Sequence, residues 1–260
     1  MYLPLISNFH PVLKNWLNNL SFSPSNDVVK AQQILIKGIA DDLILPELDL
    51  FHTIGGLETD EQRLRPLITT SATKTFTAIS SPTLNINGVT GNGVNSYIQS
   101  NWIPSTNGIK YTQNSASFGV YLNSANVTAN SDEMSVTDGT RYCYMNARYS
   151  TNNFFTVVNA AAATEFGTSN LNSQGLFSNV RTASNAATNY INSVQGTASA
   201  GASNGLPTTQ FYILAQNNNG TAGRFSVRRL AMIYCGSGAI NQLSFYNRIQ
   251  TYMTSRGIQV

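Results

Sequence analysis

The stretch Ser117-Phe118-Gly119-Val120-Tyr121-Leu122 decides the fold class. Phe118, Val120 and Leu122 alternate with Ser117, Gly119 and Tyr121, the period of two that sends successive side chains to opposite faces of a strand. The period returns where Tyr142 and Tyr144 alternate with Cys143 and Met145. Outward from these, strands are predicted at Thr75–Ile79, Ser96–Gln99, Phe154–Val158, Gly175–Arg181, Asn189–Val194, Thr209–Gln216 and Phe225–Cys235. Asn87-Gly88, Asn92-Gly93, Asn107-Gly108, Asp138-Gly139 and Asn219-Gly220 supply turn signals between them. Many short strands cut by such turns predict a β-sandwich or barrel. The small, Gly-containing segment Ala198–Leu206 reads as a loop.

Both ends of the chain are patterned differently. Leu13, Trp16, Leu17 and Leu20 fall on one face of a short helix within an apolar arm, residues 1–24, punctuated by Pro4, Pro11 and Pro24. Two readings are open for these four residues. They fold back on their own domain, or they anchor assembly by burying Trp16 in a partner. Residues 26–45 predict a helix, with Asn26 as cap, Asp27 in the first turn and Pro46 as the stop. Val28, Ala31, Leu35, Ile39 and Leu43 form its apolar stripe, and Gly38 within it implies close packing. A last helix is predicted over 239–256, with a buried stripe of Leu243, Tyr246, Ile249 and Met253 and Gly257 as its terminating glycine.

Charge divides the chain near Pro66. Residues 1–66 carry 8 acidic and 5 basic side chains, whereas 67–260 carry 4 and 10. This predicts an arm at 1–24, a helical segment at 25–66 packed on the sandwich, and a sandwich at 67–260 that includes the last helix. Charged residues are only 10% of the chain, and Asn, Ser and Thr fill 84 of its 260 positions. Such a neutral, hydrogen-bonding surface argues against a nucleic-acid binder, which needs clustered Lys and Arg. No run reaches the roughly 20 apolar residues of a membrane span, and the opening MYLPLIS lacks the basic start of a secretory leader. No membrane partner and no leader are therefore expected.

Two phrases carry a family resemblance: GVTGNGVNSYIQSNWIPS at 88–105, and FYILAQNNNGTAGRFSVRRLAMIYCGSG at 211–238, leading into INQLSFYNRIQTYMTSRG. Over residues 25–260 the chain resembles the laminin-G-like, concanavalin A-like lectin/glucanase domains of bacteriophage virion proteins. The resemblance implies an all-β fold, a two-sheet antiparallel jelly-roll sandwich with an N-terminal helical segment and a C-terminal helix. It also implies a place in the virion, with other virion proteins or a second copy as partners.

The search for chemistry finds little. Lectin-fold glucanases use close carboxylates on one strand, and retaining hydrolysis needs two carboxyls roughly 5–5.5 Å apart. Beyond residue 66 the acids are Asp132, Glu133, Asp138 and Glu165. Asp132 and Glu133 are adjacent and point to opposite faces of any strand; they read as a solvated acidic loop. Glu165 meets either only through tertiary structure. His10 and His52 read as structural. Cys143 and Cys235 read as small core residues, with a disulfide between them left open. No cofactor, metal or catalytic residue is expected, and the chain reads as a non-enzymatic virion structural protein. The alternative is a glycan-binding receptor-recognition protein on a fibre or tail, using Trp102, Tyr111 and the loop Asn217, Asn218 and Asn219 as glycan or partner contacts. Arg228 and Arg229 are expected on opposite faces of one strand, one facing solvent and the other a carboxylate or the C-terminal helix.

Overall fold

The computed structural model describes residues 8–126 and 130–260. The expected sandwich is present: two antiparallel sheets packed face to face, with helices at both ends of the chain. The first sheet runs β14 (Val194–Ser199), β13 (Ala186–Ile191), β12 (Gly175–Ala183), β7 (Ala116–Leu122), β18 (Arg229–Gly236), β1 (Leu48–Thr53) and β2 (Ile68–Thr69). The short hairpin β4 (Thr83–Asn85) and β5 (Gly88–Thr90) joins it at β18. The second sheet runs β11 (Phe166–Ser169), β10 (Asn153–Ala160), β9 (Tyr142–Asn146), β8 (Met134–Thr137), β15 (Tyr212–Ile213), β6 (Tyr97–Gln99) and β3 (Thr77–Ile79). The hairpin β16 (Gln216–Asn218) and β17 (Thr221–Gly223) joins it at β8.

Alternation in β7 places its side chains as the period of two requires. Phe118, Val120 and Leu122 enter the core between the sheets. Tyr121 points the other way, into a second apolar layer roofed by helices. Gly119 shares that outward direction by the same alternation, and it is glycine there because a Cβ would lie 2.5 Å from the Tyr234 Cε1 atom. Strand β1 is buried along its whole length, with Leu50 in the inter-sheet core and Phe51 under the helices. The charge boundary at Pro66 is therefore not a boundary of the sandwich: a strand from the acidic segment lies between β18 and β2. Burial on both faces removes the polar alternation that would have revealed it.

The helical layer consists of α1 (Pro11–Asn18), α2 (Asn26–Asp41) and α5 (Gln242–Ser255), with the short helices α3 (Asp60–Leu64) and α4 (Pro104–Asn107) between α2 and α5 in the chain. Helix α2 is capped by Ser25 rather than Asn26, and it stops at Asp41. Leu43 adopts φ 59° and is exposed, so Ile44 takes the buried place expected of Leu43. The close approach at Gly38 is real: the Arg248 side chain of α5 lies across it and pairs with both carboxylate oxygens of Asp42 at 2.8 and 2.9 Å.

Helix α1 corrects the anchor reading. Leu13 and Trp16 are buried within the helical layer, Leu17 and Leu20 pack partly against it, and the Trp16 indole donates to the Arg65 carbonyl at 2.8 Å. These side chains face their own domain, so they are not a free intermolecular anchor. Leu3, Leu5 and Ile6 of the arm lie outside the described residues. His10 caps α1 by accepting from Val12 N. His52 is buried with Nε2 2.9 Å from the Arg63 carbonyl oxygen, and burial pushes its imidazole down to about 3, keeping it neutral.

Helix α5 docks through Phe245, Ile249, Tyr252 and Met253, while Leu243 is 59% exposed. Met253→Ala is therefore expected to cost about 2–5 kcal/mol. Leu243→Ala should stay within about 0.5 kcal/mol, the range of ordinary surface changes. Urea titration of both variants checks the orientation of the helix. Among the described residues, no helix is long and apolar enough to cross a membrane. Cys143 and Cys235 are both buried and both free.

Candidate functional site

The residues expected to contact glycan do not form a site. Trp102 and Tyr111 are fully buried in the inter-sheet core, edge to face with ring centroids 5.5 Å apart. Tyr111 is held there from both ends. Its backbone N–H donates to the buried Asp49 carboxylate at 2.8 Å, and its hydroxyl donates to Asn159 Oδ1 at 3.0 Å. Neither ring reaches solvent, so neither is a platform for sugar. Asn217, Asn218 and Asn219 form the end of the β16–β17 hairpin. The Asn217 amide is buried, bonded to Gln210 O and Gly220 N, and Asn219 takes φ 48°. Asn217 therefore serves the turn, as Asn does where positive φ is needed nearby.

The site that the fold does build lies on the outer face of the second sheet, opposite the helices. The side chains of β9 and β10 that alternate away from the core, Tyr144, Asn146 and Phe155, form its floor. Its rim comes from the β9–β10 turn, where Asn152 at φ 57° closes the chain back on Tyr149 and presents Tyr149 and Thr151. Asn130, Glu165 and Arg224 complete the wall around a cavity of about 220 Å³. The Tyr149 and Phe155 rings meet edge to face at 5.6 Å, and the Tyr149 hydroxyl donates to Asn130 Oδ1 at 3.2 Å.

Charge is concentrated beneath this cavity. Tyr144 donates its hydroxyl to the Glu165 carboxylate, and burial together with that carboxylate pushes the phenol well above its ordinary range. Arg224, held at φ 49° after the β16–β17 hairpin, has its guanidinium carbon 5.8 Å from the centre of the Tyr144 ring. Arg224 Nε is 3.2 Å from Asp132 Oδ1, without the alignment of a hydrogen bond. Asp132 is fully buried, and desolvation lifts its carboxyl to about 7 against the pull of Arg224.

Adjacent Glu133 turns to the opposite side and pairs with Arg228, both fully buried. The expectation that Asp132 and Glu133 take opposite faces holds, and of the two partners left open for one arginine, a carboxylate or the C-terminal helix, Arg228 takes the carboxylate. The expectation of a solvated acidic loop does not, because both carboxylates are enclosed. Among the described residues no group of three or more His, Cys, Asp or Glu is placed to hold a metal ion.

No protein-family model matches this sequence, and no curated protein is similar to it at a significant level. Solved structures share its shape. Domain 4 of AbnA, a GH43 extracellular arabinanase from Geobacillus stearothermophilus, solved with arabinotriose, superposes with a TM-score of 0.52 at 12% identity, over 78% of this chain and 98% of that one. A Trypanosoma rangeli sialidase solved with sialic acid gives a TM-score of 0.54 at 10% identity, over 87% of this chain. The chain spans 38% of that sialidase's length. At such identities the likeness establishes the fold alone, a β-sandwich.

One expectation is corrected here: the sequence reading that the chain is not an enzyme. The solved chains sharing its fold belong to an arabinanase and to sialidases. The supporting argument also weakens, since Asp132 and Glu165, 33 positions apart in the chain, are both brought close enough to Tyr144 to raise its phenol.

Proposed function

We propose that this chain binds carbohydrate in the cavity on the outer face of its second sheet. The observation that carries the proposal is the composition of that cavity. Three aromatic rings, Tyr144, Tyr149 and Phe155, share about 220 Å³ with amide, hydroxyl, guanidinium and carboxylate groups. Aromatic faces cover the C–H surfaces of a sugar ring, and convergent polar groups fix its hydroxyls. Asn146 is 1% exposed and its Nδ2 has no hydrogen-bond partner among the described residues. A buried donor left unpaired costs about 1–3 kcal/mol, a cost that a ligand hydroxyl or carbonyl would relieve. The arabinotriose bound in the structure of AbnA domain 4 supports the same reading.

A setting in a bacteriophage virion is part of this proposal. Its support is the resemblance of the 88–105 and 211–238 phrases, and its test is whether the chain is incorporated into particles. Glycan-array screening followed by calorimetric titration tests the binding. Phe155→Ala and Tyr144→Ala are expected to weaken the best glycan at least tenfold, about 1.4 kcal/mol, while Trp102→Phe leaves affinity unchanged. Binding that survives both cavity substitutions would remove the site from consideration.

A further inference from the structure

We propose that the sugar held in this cavity carries a carboxylate, bound against the guanidinium of Arg224, and that Asp132 takes up a proton from solvent as it binds. The inference rests on the carbohydrate reading and names the class of sugar.

The donors lining the cavity are what a carboxylate needs. Among the described residues the terminal nitrogens of Arg224 make no hydrogen bond, and its Nε is misaligned toward Asp132. The guanidinium is about one-third exposed, so it is desolvated on one side and open on the other. Asn146 Nδ2 is the second unpaired donor. A planar guanidinium matches a carboxylate in two parallel hydrogen bonds. Among the described residues Glu165 makes no hydrogen bond or ion pair with Arg224; its carboxylate accepts from the Tyr144 hydroxyl.

The charges facing Asp132 show why a proton is involved. They are Arg224 from the segment after β17, Glu165 from the segment before β11, Tyr144 from β9, and its own neighbour Glu133, which is paired with Arg228. With Asp132 ionised, Arg224 is already neutralised, and Glu165 leaves the cavity with a net negative charge that repels a second anion. With Asp132 protonated, Arg224 keeps a full charge for the ligand. Burial, opposed by Arg224, holds Asp132 near the middle of this equilibrium, at about 7. A ligand carboxylate adds a nearby negative charge, which favours the protonated acid further. By linkage the ligand then binds more tightly where Asp132 is already protonated.

The test is calorimetric titration of the full chain with uronate oligosaccharides and with neutral oligosaccharides of equal length, at pH 6.0 and 8.5. The expected result is a preference for the uronate at pH 6.0 and an affinity that falls about tenfold or more by pH 8.5. Asp132→Asn, a neutral residue of the same shape, should bind the uronate equally at both values. Arg224→Gln should abolish the preference for the charged sugar while retaining the neutral one. Neutral sugars bound as tightly as uronates, with no pH dependence, would overturn this inference and leave carbohydrate binding standing. A wild-type slope that persists in Asp132→Asn would remove Asp132 as the proton acceptor. Failure of every sugar to bind would overturn the carbohydrate reading and this inference with it.

Discussion

Arg228→Met is expected to cost about 3–5 kcal/mol, because it leaves the Glu133 carboxylate buried without its counter-charge. Both side chains are fully buried. Glu133 also accepts from Ala147 N at 2.7 Å and from Ser226 Oγ at 3.2 Å, and Arg228 Nε donates to Asn126 O at 3.0 Å. The pair thus joins the start of β8, the end of β9 and the segment leading into β18. Removing both charges at once, as Glu133→Gln with Arg228→Met, should recover much of the loss, since the uncompensated charge rather than the missing attraction dominates the single change. Thermal and urea unfolding of the two variants decide the matter. A single variant within about 1 kcal/mol of wild type would show the pair to be solvated. The cavity should suffer as well, because Asn146 at its floor accepts from Arg228 at 3.4 Å and Asp132 beneath it is the chain neighbour of Glu133.

Trp16→Ala is expected to lower stability by about 3–5 kcal/mol, the cost of emptying a large aromatic site in a packed layer. For a chain of this size that corresponds to roughly 2–4 °C of melting temperature per kcal/mol. The substitution also discards the hydrogen bond from the indole to Arg65 O. An arm bound only to a partner would give a different result, an unchanged melting temperature with lost self-association. A melting point within about 1 °C of wild type would restore that reading.

Much of the architecture was legible because a period of two survives wherever one side of a strand differs from the other. Phe118, Val120 and Leu122 announced a core face, and Asp132 and Glu133, like Arg228 and Arg229, were separable by adjacency alone. Gly38 was legible as a close contact because a glycine inside an apolar helical stripe has few other reasons to be there. Strand β1 was not legible. Its residues Leu48 to Thr53 are buried on both faces, and a fully buried strand has no alternation to read. The helix stripe at 239–256 was read one position out of place at Leu243, since tertiary docking rather than the period alone selects which side of an amphipathic helix is covered.

The candidate site shows the same division. Residue types suited to sugar were evident throughout so polar a chain, but which aromatics are accessible was not. Trp102 and Tyr111 disappear into the core, while Tyr144 and Phe155, one strand apart and facing outward, meet residues from a distant loop. The sequence by itself determined the strands, the helical ends, the shortage of charge and the opposed directions of neighbouring side chains, because those follow from local geometry. Only the tertiary structure decided that Arg224 faces Asp132 and that Glu165 reaches Tyr144. Such meetings depend on how the β16–β17 hairpin and the segment before β11 pack onto the second sheet, and the enclosure they create raises Asp132.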